Sequence, residues 1–291
     1  MGISETQLET WSGQGSVTNS ANTYASIRTG LSSHTWPKEM CYEVYLQGSY
    51  ANTTNIRGDS DVDVVVESNS IYYSDLEEHL KPNIGWSPGK HSYSDFRREV
   101  IAALTSYYGS HLVDASGGKA IKVLPGSTSN RLKADVLPCA SYRRYEAVRV
   151  IAEGITFWNQ HTHEQIINYP KLHIRNGEQK NGPYRTSTWY KRSVRMFKNA
   201  RLQIIGNDDS LRNRFPSYFV ECLFYNVPDN YFGYSYQRTY VQVVDYLTAA
   251  FRNGAADKFT TQSGQHWLFG SHSVQWSKDN ASVFVSRLAT L

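Results

Sequence analysis

A chain of 291 residues, 40% hydrophobic and 19% charged with a formal net charge of +4, is long enough for one large domain or for two lobes of about 150 residues each. No stretch approaches the ~20 apolar residues of a membrane span, and the start lacks the basic-then-apolar pattern of a signal peptide. Three scattered cysteines, Cys41, Cys139 and Cys222, argue against disulfides and a structural zinc and fit a reducing cytoplasm, while so small a net charge does not call for a long nucleic-acid partner.

In chain order, residues 1–15 are rich in Ser, Thr, Gly and Gln and read as a loosely held start. Residues 17–33 have weak helical spacing through Val17, Tyr24, Ile27 and Leu31, and Pro37 ends that element. Residues 42–46 (YEVYL) alternate as a strand does. Residues 48–54 read as a turn entering a short helix, and residues 61–67 (DVDVVVE) as a second strand. A helix is predicted over 95–108, then β-like runs at 119–124, 131–137 and 147–157. The Asn-, Gly-, Pro- and Lys-rich stretch 168–185 reads as a crossover. Beyond it the period is helical, at 186–205, 218–225 and 236–251, with Gly206 and Gly254 as stops. The chain is thus a mixed α/β first half followed by a mostly helical second half. Arg185, Lys191, Arg192, Arg195, Lys198 and Arg201 cluster within seventeen positions, a face that could meet phosphates or simply be solvated.

The informative stretch is QGSYANTTNIRGDSDVDVVV, residues 47–66. Asp61 and Asp63 are i and i+2 on a strand, so both point to one face about 6–7 Å apart at Cα. Two like charges on an apolar strand repel, and a hard divalent cation that prefers oxygen ligands would relieve that cost. Gly48 lets backbone approach closely, the amides after it open a helix N-terminus suited to phosphate, and Ser49 adds a hydroxyl donor. Two-metal chemistry needs a third carboxylate. Asp135, in the apolar run LKADVLP, is the candidate, because a charge in mid-strand is unusual. His161 and His163 read as a polar loop. Trp189, Tyr190, Tyr218, Tyr231 and Tyr234 read as core packing that could include a base-stacking platform.

At these residues the sequence resembles the polymerase-β-like nucleotidyltransferases, and within them the cGAS/DncV-like group. Further cues are the ADVLPC strand, GITFWN followed by INYPKLHIRNGEQKN, the YKRSVRMFKNAR helix and FPSYFVECLFYNVP. The resemblance implies an α+β fold: a nucleotidyltransferase core of mixed sheet with helices over residues 1–180, a mostly helical lobe over 181–291, and an active-site cleft between them. It implies two Mg²⁺ ions, with Mn²⁺ able to substitute, on Asp61, Asp63 and Asp135. Gln47, Gly48 and Ser49 map to the triphosphate-binding turn, Lys198 to a triphosphate-contacting lysine of the first long helix of the second lobe, and Ser217 to a serine near the phosphate tail. The implied product is a cyclic di- or trinucleotide that signals in bacterial anti-phage defence. The implied substrates are nucleoside triphosphates (ATP, GTP or pyrimidine NTPs). A cytoplasmic monomer is expected, with room for a regulatory protein partner and no need of membrane or long nucleic acid, since the zinc insertion of the animal DNA sensor is missing. The same aspartates would serve a linear oligonucleotide synthase or a transferase acting on RNA or protein, and a non-catalytic nucleotide-binding protein is a further alternative.

Overall fold

The computed structural model describes residues 2–58, 61–85, 87, 89–127 and 130–291. In chain order the elements are α1 (Glu5–Ser12), α2 (Thr18–Ser32), β1 (Tyr42–Leu46), α3 (Gly48–Ala51), β2 (Val62–Ser74), α4 (Tyr93–Tyr108), β3 (Val113–Asp114), β4 (Ile121–Val123), β5 (Ala134–Glu146), β6 (Arg149–Trp158), β7 (Gln165–Asn168), α5 (Pro170–Asn181), α6 (Trp189–Ile205), α7 (Asp209–Arg214), α8 (Ser217–Tyr225), α9 (Tyr236–Asn253) and α10 (Lys278–Leu288). The mixed first half and helical second half are as expected. By compactness the chain divides into a sheet unit, Ser16–Tyr50 with Asp61–Pro170, and a helical unit, Met1–Gly15 with Ala51–Ser60 and Lys171–Leu291. This division is more interleaved than a single boundary at residue 180.

In the sheet unit the strands run β1-β2-β5-β4-β3, with β6 pairing both β5 and β7. β2 and β5 are parallel, and their neighbours pair antiparallel. Val62, Val64 and Val66 of β2 join Ala134, Val136 and Ala140 of β5 in one core with Ile27 and Leu31 of α2 and with Phe96, Val100 and Leu104 of α4. Alternation along the strands therefore turns the odd-numbered residues to the opposite face. Ser92 and Asp95 close a reciprocal capping box that starts α4, which holds the Asp95 carboxyl down at about 2, chiefly through the Ser92 hydrogen bonds.

The helical unit is built on α6, α8, α9 and α10. Phe197 of α6 stacks on Phe224 with ring centroids 4.1 Å apart and on Tyr240 at 5.0 Å. Two sequence expectations are corrected here. The start of the chain is not loose: α1 packs into this core through Leu8, which is 1% exposed, and the Glu5 carboxylate accepts from the Tyr236 and Gln237 amides at the N-terminus of α9, where a negative charge is favoured. The stretch read as the crossover between lobes does hold the passage from one unit to the other, at 170–171, but it is helical rather than irregular and forms α5. Pro170 sits at its first turn, where a missing N–H costs nothing. Gly177 is needed because a Cβ there would meet Gln262 Nε2 at 2.5 Å. Composition suggested a loop, while the constraint was close helix packing. Among the described residues no helix is long and apolar enough to cross a membrane, and all three cysteines are free thiols.

If α1 belongs to this core, Leu8→Ala should lower unfolding free energy by about 2–4 kcal/mol. Urea denaturation of wild type and variant measures it, and a loss below about 0.5 kcal/mol would mark α1 as a surface appendage.

Candidate active site

The register of β2 on β5 sets Asp63 directly beside Asp135, with Val62 against Ala134 and Val64 against Val136. Both aspartates are odd-numbered and leave the sheet on the face away from the valine core. Adjacent strands lie about 4.8 Å apart, so the two carboxylates spring from neighbouring points of a rigid surface. Asp61 lies just before β2, and its Oδ2 accepts from Lys133 Nζ at 2.5 Å. Burial pushes the Asp135 carboxyl above its ordinary range; the Asp61 charge adds to that, while Lys133 and Lys122 oppose it. Lys133 is shifted up, chiefly by its hydrogen bond to Asp61.

The Gly48 turn is part of the same construction. The Gln47 amide donates to the Asp63 carbonyl oxygen at 3.0 Å, extending the β1–β2 ladder into the turn. Gly48 takes φ +65°, a left-handed conformation open to glycine. A Cβ at this position would lie 2.2 Å from Asp63 Oδ2. The glycine thus leaves room for the Asp63 carboxylate as well as for the turn, and Ser49 follows at the start of α3.

The aspartates also bear on whether a cation fits. Asp135 Oδ1 is buried and has no hydrogen-bond partner, an unusual cost for a carboxylate oxygen unless something else binds it. The donor set is all oxygen, which suits a hard divalent ion. Among the described residues no three His, Cys, Asp or Glu side chains are gathered tightly enough to hold an ion as they stand; Asp61 is drawn to Lys133 instead. The residues present fit a cation in chemistry, with Asp61 needing to change partner.

The helical unit answers the remaining expectations differently. Lys191, Arg195 and Lys198 do share a face of α6, but it is turned into the unit and every charge on it is bound. Lys191 pairs with Glu178. Arg195 donates to the carbonyl oxygens of Ser12 and Thr53, each at 2.6 Å. Lys198, 3% exposed, pairs with Glu221 and reaches the Thr54 carbonyl and hydroxyl oxygens at 3.2 Å. Of the same basic cluster, Arg185 pairs with Asp229 and Arg201 donates to the Phe215 carbonyl oxygen, while Arg192 is exposed. The expectation of Lys198 on an open phosphate-facing surface is therefore corrected. An isolated buried ammonium is too costly to leave unpaired, and Glu221 supplies its partner. Glu221 was missed in the sequence, although an acid inside the apolar run FVECLF is itself a signal. Its other oxygen meets His173 Nε2 at 3.2 Å.

Ser217 is the first residue of α8, with Pro216 in the cap position and no side-chain cap. Tyr218, next to it, is 43% exposed. One side of its environment is set by the His173 ring, stacked at 5.0 Å, and by Trp276 at 5.6 Å. Tyr190 is core, Trp189 and Tyr231 pack on Tyr236 and Tyr246, and Tyr234 lies under the Arg238 guanidinium at 4.1 Å. His161 and His163 lie in the connection between β6 and β7.

Two outcomes follow from this geometry. Gly48→Ala should displace Asp63 and lower kcat on the order of a hundredfold, as misplacement by about 1 Å can do, and the left-handed φ should cost about 1 kcal/mol or more of stability; steady-state kinetics on protein that circular dichroism shows to be folded, with thermal melts, checks it. Burial by itself would raise the Glu221 pKa, but Lys198 and His173 outweigh it and hold the carboxyl well below the ordinary range. A depressed folded-state pKa contributes stability above the ordinary glutamate value of ~4.3, and that stability is lost as pH falls through it. Urea midpoints followed from neutral pH down to about pH 3 should fall more steeply for wild type than for a Lys198→Met/Glu221→Gln double variant. Lys198→Met alone should cost about 3–5 kcal/mol, because it strands Glu221.

Comparison with known proteins identifies the family. Residues 175–291 match the cGAS/DncV-like nucleotidyltransferase C-terminal helical domain. The chain is 43% identical over 289 residues to the cyclic UMP-AMP synthase of Rhodothermus marinus, covering 98% of this chain and 96% of that one. It is 35% identical to the cyclic nucleotide synthase CdnE01 of Staphylococcus haemolyticus, covering 98% and 97%. The structure of the Rhodothermus marinus CdnE c-UMP-AMP synthase with Apcpp and Upnpp superposes with a TM-score of 0.90 at 42% identity, over 99% of this chain and 95% of that one. The Elizabethkingia meningoseptica CdnE cyclic dinucleotide synthase with GTP and Apcpp gives 0.80 at 30%, over 99% and 98%. With a mixed-sheet unit and a matching helical unit on one chain, and with relatives this close along nearly its whole length, this protein belongs to the cGAS/DncV-like nucleotidyltransferases, among the CdnE-type cyclic dinucleotide synthases.

Proposed function

We propose that this enzyme joins one UTP and one ATP into a cyclic dinucleotide, with Asp61, Asp63 and Asp135 as the residues that hold two Mg²⁺ ions. Nucleotidyltransferases of this family are generally metal-dependent. The observation that carries the reading is the side-by-side register of Asp63 and Asp135, together with Gly48, whose lack of a Cβ leaves room for the Asp63 carboxylate. The base pair is taken from the relative that shares 43% of its residues and whose name specifies UMP and AMP.

In each of two rounds a ribose hydroxyl oxygen of one nucleotide attacks the α-phosphorus of the other. The bond from that phosphorus to pyrophosphate breaks, and the hydroxyl proton passes to solvent; the second round closes the ring. When bound, the metal ions neutralise the triphosphate and favour the ionised hydroxyl. The protein's contribution is positional. β2 and β5 fix Asp63 and Asp135 against a packed core, Gly48 gives the Asp63 carboxylate its space, and the turn after Gln47 offers the Ser49 amide and hydroxyl to phosphate oxygens. In the helical unit, Ser217 is the proposed phosphate contact and the exposed Tyr218 ring a surface for a nucleobase. Lys198 serves that unit as the partner of Glu221. The reaction belongs in the cytoplasm, where nucleoside triphosphates are made and used.

The test is incubation of the pure protein with the four NTPs, singly and in pairs, with Mg²⁺ or Mn²⁺ and without DNA, followed by mass analysis of phosphatase-resistant product. A ring of one uridine and one adenosine nucleotide is expected, and none from a folded Asp61→Asn/Asp63→Asn variant. Rings of purines alone would overturn the base assignment, and product from the double variant would remove the aspartates from the chemistry.

A further inference from the structure

Lys133 is left without a role by the chemistry above. It directly precedes β5, and its carbonyl oxygen accepts from the Val62 amide at 2.9 Å. That bond carries the parallel register one step beyond Val62 and Ala134. Lys133 and Asp135, two residues apart, therefore share a face, as Asp61 and Asp63 do. Three carboxylates and one ammonium thus stand at the same end of two adjacent strands, with the ammonium bonded to Asp61 Oδ2.

The pair is open to water, Lys133 being 34% and Asp61 41% exposed. A pair this exposed contributes little to folding, so its consequence lies in the charge of the cluster. As long as Nζ occupies Asp61 Oδ2, that oxygen is taken, and among the described residues the three aspartates are not gathered around a common point. Asp135 Oδ1, by contrast, stands buried without a partner.

We propose that Lys133 is a resident counter-cation of the aspartate cluster: it holds Asp61 in the nucleotide-free enzyme and surrenders it when metal binds, so that metal occupancy depends on the arrival of a nucleoside triphosphate. The inference rests on reading Asp61, Asp63 and Asp135 as the metal-holding set. A divalent ion entering alone must displace the ammonium from Asp61 and then remain within several Å of it. Repulsion at that range, in a medium between protein surface and water, weakens binding by about tenfold. A triphosphate brings several negative charges with the ion, offsets the ammonium and offers it new oxygen partners. The site then charges with metal and substrate together.

Titration of the full-length, nucleotide-free protein with Mn²⁺, read from the free-ion electron paramagnetic resonance signal, tests this. Lys133→Met is expected to bind Mn²⁺ about tenfold more tightly than wild type, and Lys133→Arg, which keeps the charge, to behave as wild type. Adding Apcpp should narrow the gap between wild type and Lys133→Met. Lys122, opposite Asp135 on β4, provides the comparison for a nearby charge not bonded to Asp61, and Lys122→Met should change affinity by less than about threefold. Circular dichroism confirms that each variant is folded. Unchanged or weaker Mn²⁺ binding by Lys133→Met overturns the inference, as does an equal effect at Lys122. The metal-site reading fails separately: wild type would then take up no Mn²⁺ even with Apcpp, or Asp63→Asn would leave uptake intact.

Discussion

The parallel register of β2 on β5 is the constraint on which the site depends. It is enforced from the buried side. Val62, Val64 and Val66 enter a core closed by α2 and α4, and slipping the pairing by one residue would send those valines to the other face and the aspartates inward. Apolar burial on one face thus dictates where the carboxylates stand on the other. The Gln47–Asp63 backbone bond extends the same ladder to the glycine turn, so the turn and the carboxylate it shelters are positioned by one set of hydrogen bonds.

The helical unit solves a different problem. Its first long helix carries lysines and arginines on a face that packs inward, and each is matched inside the unit by a carboxylate or a backbone carbonyl oxygen. Lys198, Glu221, His173 and Thr54 draw α6, α8, α5 and the 51–60 segment together around one buried charge pair. Such a network adds little over a well-packed apolar core, but removing any one member is costly, because the remaining charge cannot be solvated. It also places the histidine on which the Tyr218 ring stacks, so that half-exposed ring rests on a fixed support.

Much of this was legible in the residues. The Asp-x-Asp strand, the Gly-Ser turn before it and the lone aspartate in LKADVLP identify the carboxylate set, since charges in apolar strands stand out against local composition. Lys133 lay two positions from Asp135, on the same face by simple alternation, but nothing in a one-dimensional pattern says which carboxylate a flexible lysine will reach. For α5 the punctuation misled: Pro170 and Gly177 count as breakers unless one knows that the first sits in a first helical turn and the second against Gln262.

By itself the sequence determined the fold class, a mixed first half followed by a helical second half, and pointed to Asp61, Asp63 and Asp135 as the candidate acidic site, because these follow from periodicity and from residue types that are costly anywhere else. Tertiary structure alone decided three things: that the basic face of α6 turns inward to Glu221, Glu178 and backbone carbonyl oxygens, that α1 is core rather than a loose start, and that Asp61 is bound to Lys133 while Asp135 Oδ1 is left unpartnered. The physical reason is common to all three. A long charged side chain or a short amphipathic helix has no preference of its own for core or surface, and its place is chosen by partners distant in sequence, which only the folded chain brings within reach.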